Sequence, residues 1–242
     1  FVGTARGLEV LPQPGAFQDN GLRASLARLA QTWRHAQVYR DFVWLLGCAV
    51  AYQAGISVVV ALAAVYAEQV LGFKQTQTMM LIFLVNIASA LGAFAFGYWQ
   101  DRIGHRPALA VTLVGWIIMT LLAVAATEAT LFWAAAVVAG LCMGSSQSAG
   151  RAMAGAFAPE HRLAEFFGLW TFAVRLAAII GPMTYGLVTL LTSGNHRLAI
   201  LSTGVFFVIG LLVLSRVNVA RGVAAARADN GEGSLGPVDQ PA

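Results

Sequence analysis

Six apolar runs, each close to the roughly 20 residues that a bilayer-spanning helix needs, leave this chain few ways to fold. They occupy positions 42–65, 79–99, 108–127, 131–148, 166–190 and 198–214. Within hydrocarbon only α-helices and closed barrels satisfy every backbone hydrogen bond. The runs show no strand-like alternation, so all six are predicted to be helices. Charge is correspondingly scarce. Only 11% of the 242 residues are charged and 58% are hydrophobic, against about 25% charged in a soluble domain. The expected fold is all-α: a polytopic membrane protein with six transmembrane helices.

The few cations report topology. Arg23, Arg28, Arg34 and Arg40 precede the first run, Arg102 and Arg106 follow the second, and Arg151 and Arg162 follow the fourth. Arg216, Arg221 and Arg227 follow the sixth, whereas the opposite joints carry only Lys74 and Arg197. Arginine and lysine stay on the cytoplasmic side, so both ends of this chain are expected there. The net charge of +4 is therefore a topology signal, and nucleic acid is not an expected partner. Cys48 and Cys142 lie inside apolar runs with no CxxC or Cys/His cluster nearby and read as small buried hydrophobes. No metal or cofactor is expected. Residue 1 is Phe, with no signal pattern before the first run, and the chain is expected to belong to something longer.

Three regions follow. Residues 1–41 read as a cytoplasmic loop in which Leu22, Leu26, Leu29 and Trp33 share one helical face. That segment is either an interfacial helix on the inner leaflet or a short helix packed on the protein. Residues 42–217 form the six-helix bundle, and 218–242, ending in a Gly-, Pro- and acid-rich stretch, read as a disordered cytoplasmic tail.

Polar residues inside the runs are the candidate site. The third and sixth runs are almost uniformly apolar, but the first holds Tyr52, Gln53 and Ser57, the second Asn86 and Ser89, and the fifth Arg175 and Gly181-Pro182. Helices one, two, four and five are therefore expected to line a cavity. Arg175 falls roughly 14 Å into the bilayer at 1.5 Å per residue. An arginine there costs about 2.5–3.5 kcal/mol on insertion scales, so it must face protein, water or an anion. It reads as a contact to a substrate carboxylate or as half of a structural pair. Asn86, Gln53 and Tyr52 read as cavity hydrogen-bonders, or as interhelical bonds worth about 0.6 kcal/mol each. Gly181-Pro182 reads as a hinge or a static kink. The GSSQS segment at 144–148 would suit an intramembrane serine protease, but His35, His105, His161 and His196 all fall in joints or near the ends. An enzyme is not expected.

The joint at 97–106, GYWQDRIGHR, resembles the loop motif of the major facilitator superfamily, roughly G-x-x-x-D-R-x-G-R-K, which lies on the cytoplasmic side between the second and third helices of each six-helix half. Pro159-Glu160, AEFFGLW at 164–170, Gly181-Pro182 and RLAIL at 197–201 are similar to the C-terminal half of the vacuole-effluxer family, the branch named for autophagy-related amino-acid efflux. The resemblance spans about 34–217. It implies that these helices are the seventh to twelfth of a twelve-helix carrier whose N-terminal half this chain lacks. It also implies a small solute, amino acids among the candidates, moved by alternating access across a bacterial inner membrane. A channel, or a scaffold or receptor derived from a transporter half, is the alternative. Gly97, Asp101, Arg102, Gly104 and Arg106 are then a cytoplasmic latch between halves. Three departures stand out. Ala54-Gly55 replaces an Asp-Gly pair common in bacterial relatives, Arg175 stands where the family carries Lys, and His105-Arg106 replaces the motif's second basic pair.

Overall fold

The computed structural model describes residues 39–230. The 22–33 segment lies outside them, as does the tail beyond Asn230. Six long helices follow in order: α1 (Arg40–Leu71), α2 (Gln75–Ile103), α3 (His105–Ala125), α4 (Ala129–Ala156), α5 (Leu163–Leu191) and α6 (His196–Leu214). All six are long and apolar enough to cross a membrane. A single 3₁₀ turn, Glu160–Arg162, separates α4 from α5, and a short helix, α7 (Val219–Asp229), follows α6.

The helices pack as two interleaved triplets. The first helix of each triplet inserts between the last two of the other, so that α1 lies against α5 and α6 while α4 lies against α2 and α3. The triplets also meet where α3 packs on α6. At that seam Trp116 and Phe207 stack at 5.1 Å with their planes 9° apart. Each stands eleven residues after the start of its helix, so the two rings mark a pseudo-two-fold axis. The partners beneath them correspond. Trp116 Nε1 donates to Ser146 Oγ of α4 at 3.4 Å, and Gly55 of α1 leaves room for the Phe207 ring, which a Cβ would meet at 2.6 Å. Inverted repeats of three helices are a recurrent way to build membrane carriers.

Small residues set the crossings. Glycines at 140 and 144 of α4 admit the backbone of α2 at Val85 and Ser89, and Gly92 of α2 lies against the Leu141 carbonyl. The other triplet repeats this with Gly181 of α5 on the Ala54 carbonyl of α1. Lipid supplies no hydrophobic drive between helices, so close backbone approach and dispersion hold them together. Helix α5 runs unbroken through Pro182. Cys48 and Cys142 are buried and free.

Two boundaries differ from the sequence expectation. Helix α4 continues to Ala156, so Arg151 belongs to the helix and not to the joint. The run SAGRAMAGA carries no breaker, and small residues let the helix extend past its strongly apolar stretch. The expected disordered tail begins instead with α7. Asn218 caps that helix by accepting from the Arg221 N–H at 3.0 Å, as a good N-cap does.

A buried carboxylate ties α7 to the bundle. Asp41, at the start of α1 and 3% exposed, accepts from Arg221 Nε at 2.6 Å and Nη2 at 2.7 Å, and from the Asn218 N–H at 2.8 Å. This hydrogen-bonding holds the Arg221 guanidinium above its ordinary pKa. The other end of α7 meets the α4–α5 connection. Gly222 packs against Phe157, and Asn230 Oδ1 accepts from the Glu160 N–H at 3.0 Å. Asp41→Asn removes the charge from a bidentate pair, the strong kind of hydrogen bond. Tryptic cleavage after Arg221 and Arg227 is expected to accelerate by on the order of tenfold, with the helical circular dichroism of the bundle unchanged. An unaltered cleavage rate contradicts the tether.

Candidate functional site

Helices α2 and α5 are the least covered, with 17% and 28% of their apolar windows buried against 56% for α1. Each presents two different exposed stripes. On α5, Phe172, Leu176, Ile179, Met183, Leu187 and Leu190 form a large apolar stripe. Beside it run Gly168, Thr171, Arg175, Ala178 and Gly186, all exposed. On α2, Phe83, Ile87, Leu91, Phe94 and Tyr98 form the apolar stripe, and Asn86 and Ala90 lead the small-residue one. Bulky hydrocarbon suits lipid, whereas small and polar residues suit a protein partner or a wet space. The second stripes are therefore the less lipid-like of the two on each helix.

Arg175 and Asn86 occupy corresponding places. Each precedes by six residues the glycine that packs onto a neighbouring carbonyl, Gly181 and Gly92 respectively. Arg175 lies about 18 Å along α5 from Leu163, close to the helix midpoint. It has no hydrogen-bond or ion-pair partner among the described residues. Asn86 donates Nδ2 to the Ile82 carbonyl at 2.8 Å, which leaves its side-chain oxygen open. Arg151 adds a second cation. It sits with Ser148 on the exposed face of α4, beside Gly150, whose Cα lies against the Tyr52 hydroxyl and the Trp170 ring. Sequence reasoning missed Arg151 by ending the helix at Ser148; the unbroken run to Pro159 was the available signal.

The structure separates the other candidates from these. Tyr52 is fully buried and Gln53 nearly so. Both lie within the six-helix packing, and neither reaches an open face. The Tyr52 hydroxyl is nevertheless the one buried side-chain polar atom without a partner among the described residues. Gly181 is spent on the α1–α5 crossing, and Pro182 follows it within a continuous helix.

The joint motif divides into two sets. Gly104 alone links α2 to α3, with φ of +88°, a conformation that glycine adopts without strain. Gln100 Nε2 lies 2.6 Å from His105 Nδ1. Arg106 donates to the Leu214 and Ser215 carbonyls, at 3.4 and 3.0 Å, and so caps the end of α6 with a cation. These contacts hold the half to itself. Gly97, with open space around it, and Asp101 and Arg102 belong to the other set. Arg102 stacks on the Tyr98 ring, 4.6 Å from its centroid, and also bonds the Tyr98 hydroxyl. Asp101 is exposed, without a hydrogen-bond partner among the described residues, and it lies in the last turn of α2. Its carboxylate therefore sits at a helix C-terminus, where the dipole disfavours an anion.

Interleaved triplets of membrane-crossing helices, with a Gly-Asp-Arg joint after the second helix, define half of a major facilitator fold. The chain belongs to the family described as "Vacuole effluxer Atg22 like", whose family model matches residues 6–227. It is 25% identical over 193 residues to the MFS-type transporter YxiO of Bacillus subtilis (strain 168), covering 80% of this chain and 45% of that protein. It is 28% identical over 176 residues to Autophagy-related protein 22 of Cryptococcus neoformans var. neoformans serotype D (strain B-3501A), covering 66% of this chain and 32% of that one. The chain thus spans about half or less of the length of the curated relatives it matches.

Proposed function

We propose that this bundle is the C-terminal half of a secondary carrier that moves a small solute by alternating access. The observation that carries the reading is Arg175: a mid-helix guanidinium without a partner among the described residues, on the small-residue stripe and not the large apolar one. Guanidinium geometry matches carboxylate, so the cargo is a solute with an anionic group, amino acids being the first class to test. Arg175 and the Asn86 oxygen are its contacts, and Arg151 a second cation on the same path. The second stripes of α2 and α5 face an N-terminal six-helix half, with the cargo site between halves near mid-membrane. The arginine-rich joints lie in the cytoplasm of a bacterial cell.

Uptake into proteoliposomes by the full-length carrier, with a panel of amino acids and with or without a pH gradient, tests this. Saturable uptake accelerated by solute on the opposite side marks a carrier. Non-saturating flux, or none, contradicts the reading and points to a channel or a scaffold.

Asp101 is the gate residue that awaits a partner. Its carboxylate opposes its own helix dipole and bonds nothing among the described residues, so a cation or a helix N-terminus in the other half is its natural counterpart. Asp101→Asn is expected to lower turnover by roughly 10- to 100-fold, since a charge-assisted contact contributes about 1.5–3 kcal/mol, while membrane insertion is unchanged. Parallel loss of insertion and transport would show an anchor and not a latch.

A further inference from the structure

Helices α5 and α6 diverge on the lipid side of α1 and leave a groove of about 580 Å³. Trp44, Gly47 and Val50 of α1 form its floor, Phe172 and Leu176 of α5 one wall, and Val213 of α6 the other. The wall residues of α5 belong to its large apolar stripe. The outer face of α6 is similarly bulky, with Leu201, Val205, Val208 and Leu212 exposed. The groove therefore opens toward lipid and away from the stripe that carries Arg175. From Val43 to Val50 it runs about 10 Å along α1 at 1.5 Å per residue, which is most of one leaflet's share, about 15 Å, of the hydrocarbon core.

By helical spacing, two arginines extend its walls beyond the lining residues. Arg40 stands one turn before Trp44 on α1, where it also borders a smaller pocket with Asp41 and Arg221. Arg216 follows Val213 by one turn, its N–H bonded to the Val213 carbonyl at 3.0 Å. Both side chains are exposed, and neither has an ion-pair partner among the described residues. The acids nearest in sequence are engaged elsewhere: Asp41 with Arg221 and Glu165 with Arg162. The two arginines leave a net positive charge beside a purely hydrocarbon slot.

We propose that this groove binds an anionic phospholipid from the leaflet on the arginine-rich side, with one acyl chain along α1 and the phosphate between Arg40 and Arg216. Basic sites between membrane helices recognise anionic headgroups in this way. The proposal concerns the lipid-facing side and is independent of any cargo.

The test uses the whole carrier in phosphatidylcholine nanodiscs doped with phosphatidylglycerol brominated in the acyl chain, which quenches nearby tryptophan. A quenched component absent from Trp44→Phe reports the groove. Brominated phosphatidylglycerol is expected to quench it at far lower mole fraction than brominated phosphatidylcholine. An arginine near a membrane surface contributes about 1 kcal/mol, roughly fivefold, so Arg40→Gln/Arg216→Gln should weaken the preference by about 25-fold. Arg227→Gln, the same charge change as Arg216→Gln alone but on α7, should leave it intact. The proposal fails if the two lipids quench alike, or if Arg227→Gln matches Arg216→Gln. It also fails if removing residues 1–38 is needed before any lipid reaches Trp44, since the chain's own 22–33 segment would then fill the groove.

Discussion

Gly181→Leu is expected to prevent the bundle from closing. A Cβ at this position meets the Ala54 carbonyl and its neighbouring backbone atoms, which cannot rotate aside as a side-chain end can. Overpacking a core that can adjust costs about 1–3 kcal/mol, occasionally more, and a backbone obstacle puts this variant at or above the upper figure. At about 2–4 °C per kcal/mol for a domain of this size, the unfolding midpoint in detergent should fall by roughly 10 °C, or the monodisperse peak should disappear. The same helix supplies the control. Gly168 and Gly186 have open space around them, so Gly168→Leu and Gly186→Leu should leave the midpoint nearly unchanged. Those two variants should instead slow uptake, because they add bulk to the stripe beside Arg175. Equal destabilisation by all three would mean that the α1–α5 crossing is not set by Gly181.

Gly181 also shows what the sequence can and cannot convey. A Gly-Pro pair in an apolar helix reads as a bend, because proline removes a backbone donor. That the glycine serves a crossing became visible only when α1 was placed against α5. The number and order of the helices were legible for a simpler reason: lipid demands long apolar runs, and arginines punctuate them. Polar residues were harder to sort. Tyr52, Gln53, Asn86 and Arg175 all read alike as polar residues in apolar runs, yet the first two are buried within the bundle and the last two are exposed. Which face of a membrane helix meets a neighbour depends on small-residue crossings, and Gly92, Gly140 and Gly144 carry no mark distinguishing them from open glycines such as Gly97. Helix α7 was missed because its residues, VARGVAAARAD, form no apolar stripe of membrane length. Its main tether, Asp41, lies far away in sequence.

Arg175→Ala should abolish most uptake without weakening the protein. The two effects have opposite signs for the two roles an intramembrane arginine can play. If Arg175 were structural, its removal would strand a partner and lower the unfolding midpoint. No such partner exists among the described residues, so truncation strands nothing among them, and it removes a charge whose insertion costs about 2.5–3.5 kcal/mol. The midpoint should therefore stay level or rise. Transport should respond the other way. A hydrogen bond to a charged group contributes about 1.5–3 kcal/mol, so the apparent affinity for an anionic cargo should drop by roughly 10- to 100-fold. Arg175→Lys keeps the charge but loses the planar, two-pronged donor, and should recover part of the loss in KM more than in turnover. Wild-type uptake by Arg175→Ala at matched expression would remove Arg175 from the cargo path. A lowered midpoint together with lost uptake would instead assign it a structural partner in the other half.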